Sequence, residues 1–413
     1  MKRILALCCA AILALTGCTG AGASVQPDPT PTPAVAETDA GADRAAAAFG
    51  AQLLRQVRRE GEDTLVSPLS ALLALSMTAG GAAGDTRAAM LEALGGTELD
   101  ALNANCASLL ADYAALGGST ELNIANSLWV DDTLEPLDGF LASCGDFYGA
   151  AARRLDLQAP ATVDAVNAWV EEHTGGKIPN MLDEISPETV LLLANALYLN
   201  TTWRNEFDPL DNWTAQFRPD GGAAVEVEYL NNGIRQESYI RSGREEGVLL
   251  PYDDGRLAFL AVRPLEGDLT QYLEGWDGQT LPGLIAAARD TRLLLHLPKF
   301  EAEWGGDLSG ALRAMGMEPA FDPAGADFSS LAADAQERQI YIGAVAHKTL
   351  IDVNEKGTEA AAATVVAMEA GGAAPAQDYE ELILDTPFVY GIVDLERGVP
   401  LFLGTFETGH TGG

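Results

Sequence analysis

Positive charge is scarce in this chain. Its 413 residues carry 25 Lys and Arg against 60 Asp and Glu, a net charge of −35 at neutral pH, and just five of the basic residues are lysines. A nucleic-acid or anionic-lipid surface would repel such a protein, and no basic cluster is present to hold a sulfated polysaccharide. Histidine is equally sparse. With His173, His296, His347 and His410 alone, no HExxH pair occurs and no Cys/His spacing suits zinc, which argues against metal catalysis. A G-x-S-x-G elbow is missing too, and Ser67 and Ser70 of "SPLS" stand at the start of an apolar helix, where capping accounts for them better than nucleophilic use. Paired acids such as Asp253-Asp254 and Glu245-Glu246 fall in turn-like segments and read as solvated surface. Nothing selects a catalytic group, so the protein is not expected to be an enzyme, and no cofactor is expected.

Long apolar runs are missing as well. The start, "MKRILALCCAAILALTGC", sets Lys2 and Arg3 before an apolar stretch from Ile4 to Leu15 that is too short for a comfortable membrane span, so it reads as an export signal. Leu15-Thr16-Gly17-Cys18 resembles the bacterial lipobox, which implies that residues 1–17 are removed and that Cys18 becomes a lipidated N-terminus. A plain signal peptide cleaved elsewhere is the alternative. Residues 18–42, with "PDPTPTP" and few large apolar side chains, suit an extended tether. The expected location is the outer face of a bacterial membrane, held there through the lipid alone. Loss of residues 1–17 leaves 23 Lys and Arg against 60 acids, net −37, so a cationic macromolecule would be attracted. Of five cysteines, Cys8 and Cys9 leave with the signal. Cys106 and Cys144 remain, and an exported chain permits a bridge between them, although each also sits on the apolar face of a helix, where buried free thiols are common.

Hydrophobic periodicity divides the remainder. Phe49, Leu53 and Val57 recur at i+4 and predict a helix over 43–60; Ser67 as N-cap and Pro68 in the first turn open a buried one; others follow from about 85 to 95 and 99 to 116. "ELNIANSLWV" alternates as a strand, whereas "PLDGFLASCGDFYG" and "TVDAVNAWVEEHTGG" return to the helical period. Residues 189–200, "TVLLLANALYLN", are apolar on both faces and suit a central strand covered on both sides. Further strands are expected at 225–230, 247–252, 257–264, 292–299, 339–353, 381–394 and 399–406, with one late helix at 308–315. Helices early and strands late, without repeats or a βαβ rhythm, make the chain α+β.

Taken in order, several segments resemble the serpins, a family of serine protease inhibitors, over 43–408. "SPLSALLALSMTAGGAAGDT", "VNAWVEEHTGGKIPNML", "LLANALYLNTTWRNEF", "HLPKF", "HKTLIDVNEKGTEAAAATVV" and "DTPFVYGIVDLERGVPLFLGTF" match that family collinearly, leaving 409–413 as a tail. The resemblance implies three β-sheets with about nine helices and an exposed reactive-centre loop over about 355–380. A protease attacks that loop, and the cut strand then enters the main sheet and traps the acyl-enzyme; serpin loop insertion is a standing example of recognition by strand addition. Catalysis belongs to the target. The resemblance further implies that Trp203, Lys299 and Glu355 lie where the sheet first opens, with a Lys299–Glu355 salt bridge. It puts Ser67, Ser70, Asn195 and His347 where strands slide apart at mid-sheet.

By propensity alone, "TEAAAATVVAMEA" should be a helix running into a linker. In the hinge that the resemblance implies (Glu355, Gly357, Thr358, Glu359, Ala360, Ala361, Ala362, Ala363 and Thr364), strand alternation gathers Thr358, Ala360, Ala362, Thr364 and Val366 on one face. Over 357–366 the single charge, Glu359, falls on the other. An inserted strand could therefore bury its uncharged, narrow face and leave Glu359 in water. Counting from the hinge places the cut bond at Ala370-Gly371 or Gly371-Gly372. Counting back from "TPF" places it near Ala376, with Ala373 between, so the loop is about five residues longer than usual. No Lys or Arg lies between Gly357 and Leu384, which points away from trypsin-like targets and toward elastase-like or subtilisin-like enzymes, a host elastase among them. The expected partner is a serine protease joined covalently to a monomer. The alternative is a binding or structural protein of the same fold that no longer inserts its loop, with Gly371-Gly372 and the added length in its favour.

Overall fold

The computed structural model describes residues 39–358 and 378–411. The signal, Cys18 and nearly all of the tether, hinge positions Glu359 to Thr364 and the bond candidates from Ala370 to Ala376 lie outside the described residues. Helices come first, as the periodicity requires: α1 (Ala40–Val57), α2 (Pro68–Gly81), α3 (Gly84–Ala93), α4 (Leu99–Ala114), α5 (Asp138–Tyr148) and α6 (Pro160–His173), then the shorter α7 (Leu269–Glu274), α8 (Thr280–Ala287) and α9 (Ser309–Leu312). The strands are β1 (Thr64–Val66), β2 (Glu121–Asp131), β3 (Ala151–Leu155), β4 (Leu191–Thr202), β5 (Trp213–Phe217), β6 (Val225–Arg241), β7 (Glu245–Pro251) and β8 (Leu257–Pro264). They continue as β9 (Arg289–Pro298), β10 (Phe300–Asp307), β11 (Ala346–Val353), β12 (Gly357–Thr358), β13 (Glu380–Ile383), β14 (Phe388–Asp394) and β15 (Pro400–Phe406).

Six of these strands form one sheet in the order β10-β11-β12-β4-β2-β3. The others form a nine-stranded system, β1-β15-β14-β8-β7-β6-β9-β13, with β5 on β6. Its two halves are the two smaller of the three expected sheets, joined because β6 runs 17 residues, well past the expected end at 230, with a register shift between Asn231 and Ile234. Helix α2 is apolar nearly all round and is buried between β4 and β15, so it forms the layer between the sheets. The opposite face of the six-stranded sheet is covered by α6: Trp169 and Val170 pack on Trp129, Ala194 and Ala196, and the Trp129 and Trp169 rings meet edge to face at 6.5 Å. Strand β4 is thus covered on both faces, as its double-sided apolar pattern demands.

Several boundaries differ from expectation, each for a local reason. Residues 339–345 do not continue β11 backward, because Gln339 adopts φ 54° and the Ile342 N–H bonds to the Ala320 carbonyl at 2.9 Å. The expected strand 381–394 is split: β13 runs parallel to β9 while β14 runs antiparallel to β8, and Pro387, which has no N–H to donate, stands where the chain changes neighbours. The late helix loosens after Leu312 into a wider turn over Arg313–Met317, where Gly316 takes φ 104°. Cys106 and Cys144 are buried free thiols on α4 and α5 and not a disulfide; burial pushes both up to about 12, which makes them inert.

Candidate functional site: hinge and strand gap

The hinge begins as a strand already placed between two others. Gly357 and Thr358 pair antiparallel with Thr202 and Thr201 of β4, and Thr358 also faces Val353 of β11. Two interstrand spacings, about 9.5 Å, therefore separate β4 from β11 at this level. Gly357 is required by contact rather than by φ, since a Cβ there would lie 1.9 Å from the Thr201 carbonyl oxygen. The turn that delivers it is built by Asn354, whose side-chain oxygen accepts the N–H groups of Lys356 (2.9 Å) and Gly357 (3.3 Å). The Thr358 hydroxyl meets the Tyr252 hydroxyl at 2.5 Å in a fully buried setting.

Trp203 closes the top of the gap. Its ring stacks on Tyr252 at 4.9 Å and packs edge-on to Phe207 and Phe259, while the indole N–H donates to the Asn354 carbonyl (2.8 Å) and the backbone N–H to that of Lys356 (2.8 Å). Lys299 leaves the end of β9 and reaches the Glu355 carboxylate at 2.9 Å, with Glu228 at 4.0 Å on its other side. Asn212 donates to Glu355 (2.6 Å) and Glu228 (3.0 Å). Burial alone would push the Glu355 carboxyl up, but hydrogen bonds from Lys299, its own backbone and Asn212 outweigh burial and hold it below the ordinary carboxylate value. The structure thus brings Trp203, Lys299 and Glu355 together around one turn.

The second group assembles lower on the same gap. Ser67 caps α2: its hydroxyl accepts from the Ser70 N–H (3.2 Å) and donates to the Leu401 carbonyl (2.8 Å), and its own N–H donates to His347 Nε2 at 3.0 Å. Because Nε2 must accept, the imidazole is neutral, and burial pushes His347 down to about 4. The Ser70 hydroxyl bonds to Asn195 on β4, whose amide donates to Asn126 on β2 at 2.6 Å, and Asn126 donates onward to the Tyr148 carbonyl at 2.9 Å. A continuous polar chain therefore crosses from β11 through α2 to β4 and β2 beneath an otherwise apolar sheet. Each member can exchange partners if strands move, since hydroxyls and amides both donate and accept.

Below the pairing of Thr358 with Thr201 and Val353, no ladder joins β4 to β11 among the described residues. Their facing edges, 191–197 and 345–349, wall a groove of about 390 Å³ with Ser67, Ser70 and Ala74 of α2 among its lining. Backbone groups of both strands front this groove, which gives it the chemistry to take an extended segment.

Asn126, Asn354 and Tyr252 complete this arrangement and were not singled out from sequence. Asn126 carried a signal, being a polar residue in register with Leu122, Ile124, Leu128 and Val130 on the alternating face of β2. The Asn-x-x-Gly spacing of 354–357 is a turn signal of the same kind. For Tyr252 no local signal exists, because its partner lies 106 residues away.

Comparison with known proteins agrees with this geometry. The profile of the family described as "Serpin (serine protease inhibitor)" matches residues 44–408, and this chain belongs to the serpin family. Relatives include an uncharacterized serpin-like protein of Thermococcus kodakarensis, 31% identical over 366 residues (87% of this chain, 84% of that one). Another is the leukocyte elastase inhibitor of Bos taurus, 32% identical over 355 residues (83% and 92%). Among solved structures, the native state of the thermophilic serpin tengpin is similar at TM-score 0.84 and 31% identity, covering 94% of this chain and 99% of that one. Tengpin in its latent state is similar at TM-score 0.76 and 30% identity, covering 90% and 99%.

Proposed function

We propose that this serpin is an irreversible inhibitor of serine endopeptidases that accept small neutral residues, of elastase-like or subtilisin-like type. The observation that carries the reading is the hinge: two residues are already paired between β4 and β11 at the head of a groove whose strand edges have no ladder partner among the described residues. Entry of about 14 residues would extend that pairing by roughly 45 Å of strand at 3.3 Å per residue. At about 1 kcal/mol net per hydrogen bond the gain is on the order of 10 kcal/mol, comparable with the whole stability of a domain. The intact protein is then a kinetically trapped form, with Trp203, Lys299 and Glu355 holding the entrance and Ser67, Ser70, Asn195 and His347 exchanging partners as strands part. Greater similarity to the native than to the latent state of tengpin supports the trapped form.

The bait is assigned to 367–376, and the similarity to a bovine leukocyte elastase inhibitor supports a search among elastases, including host enzymes met outside the cell. We also assign residues 1–17 to a lipoprotein signal, Cys18 to the lipid anchor, 18–42 to the tether and 43–408 to the inhibitory domain, which places the protein on the outer face of a bacterial membrane. Mixing the purified chain with pancreatic elastase should yield a complex that survives boiling in detergent, with the enzyme's activity lost in proportion. Recovery of nicked protein together with fully active elastase rejects inhibition of that enzyme; the same result with subtilisin rejects the inhibitory reading.

A further inference from the structure

Arg235 belongs to β6, in the nine-stranded sheet, yet its contacts lie against the hinge of the other sheet. Its guanidinium donates to the carbonyls of Glu206 (2.9 Å) and Asn205 (2.9 Å) and stands 5.0 Å from the Phe207 ring centre. Its Nε bonds to the Glu237 carboxylate, which is buried and therefore fixed in place. The two carbonyls it takes lie outside any strand, in the stretch that leaves β4.

That stretch clasps the hinge turn at three points. The Phe207 N–H donates to the Glu355 carbonyl (2.9 Å), the Trp203 N–H donates to that of Lys356 (2.8 Å), and the Glu206 carboxylate pairs with the Lys356 ammonium (2.9 Å). Residues 354–356 continue β11 directly and lead into β12, so the clasp fixes the turn from which the loop must move to the exit of β4, at the level where β12 already stands between β4 and β11. Arg235 bolts this clasp to β6 of the other sheet. A guanidinium suits the task because its planar fork reaches two carbonyls and an aromatic face at once, which an ammonium cannot do.

We propose that Arg235 is a positioning residue that sets how fast the loop enters the strand gap, by holding residues 205–207 against the hinge turn. The proposal rests on the strand-insertion reading given above. It assigns to a side chain of the second sheet the control of a movement in the first. Removing it should let the clasp slacken and the intact chain convert to the loop-inserted form without any protease.

The test follows that conversion in the full chain held below its melting temperature, through the growth of a heat-resistant fraction with time. Arg235→Met should convert about tenfold faster than the parent, the effect of a barrier lowered by one strong contact. Arg235→Lys should fall between, and Glu206→Gln, which loosens the same clasp without touching β6, should also speed conversion. A pin with a merely structural role would lower the unfolding midpoint of intact and loop-nicked protein alike and leave the conversion rate at the parental value; that result overturns the proposal. If Arg235→Met fails to fold, Glu206→Gln decides, and a parental rate there overturns it equally. Should nicking the parent's loop bring no heat resistance at all, loop insertion itself is wrong and the gate falls with it, whereas insertion in the parent with no change in the variants sinks the gate alone.

Discussion

Gly357 is favoured at its position by what surrounds it. A methyl group there would meet the Thr201 carbonyl oxygen at 1.9 Å, far inside contact distance, so the hinge strand would have to leave β4. Gly357→Ala is expected to destabilise the intact protein by about 1–3 kcal/mol, as overpacking does, and a urea melt measures it. His347 makes a prediction in pH. Its folded value of about 4 lies below the ordinary 6.5, so between those values the unfolded chain binds more protons than the native one. Stability therefore rises with pH across that window and is fully present above 6.5. The burial of this one ring contributes at most about 3 kcal/mol. Replacing it by Gln should flatten the acid limb of stability against pH relative to the parent; identical limbs would show that His347 is not the group responsible.

At the scale of elements, the hairpin of β14 and β15 is tied to the first helix by a buried charge. Arg397, in its turn, bonds to Asp43 of α1 at 2.7 and 2.9 Å and to Ser108 and Asp112 of α4 at 3.1 and 3.0 Å, with both Arg397 and Asp43 almost wholly out of solvent. Arg397→Met would strand the Asp43 carboxylate and cost about 3–5 kcal/mol; adding Asp43→Asn should return part of that, as chemical denaturation of the double variant would show. None of this ion pair could be read from the sequence, since its partners are 354 residues apart. What could be read were elements whose pattern is set by burial on a regular period: α2 with its Ser67 cap and Pro68, and β4 with two apolar faces. Strands β3, β5 and β10 went unread because "AARRL", "WTAQF" and "FEAEWGGD" are short, polar or glycine-bearing, and edge or near-edge pairing supplies what their side chains do not. The helix that propensity favours over 358–370 lies, except for Thr358, outside the described residues. The alanines there favour a helix in isolation, yet the pairing of Gly357 and Thr358 is dictated by β4 and β11. The collinear family matches, its own "HKTLIDVNEKGTEAAAATVV" among them, gave the hinge its meaning.

At the scale of the molecule, the proposed insertion would make stability a matter of history. On the insertion reading, protein nicked within the loop should melt about 20 °C above the intact chain, given a gain on the order of 10 kcal/mol and a large domain's modest response of about 2 °C per kcal/mol. Equal melting temperatures before and after nicking, read by calorimetry, would point instead to a serpin whose loop stays outside. The described structure also supplies its own means of watching the change. The indole of Trp203 is stacked on Tyr252 and spends its single N–H on the Asn354 carbonyl, so the colour and yield of its emission are set by the very turn from which the loop departs. A shift of that turn by a fraction of a hydrogen-bond length would retune the fluorophore. With the other five tryptophans replaced by phenylalanine, Trp203 would be an optical gauge at the entrance to the strand gap, and on the insertion reading conversion could be timed by its emission with no added label.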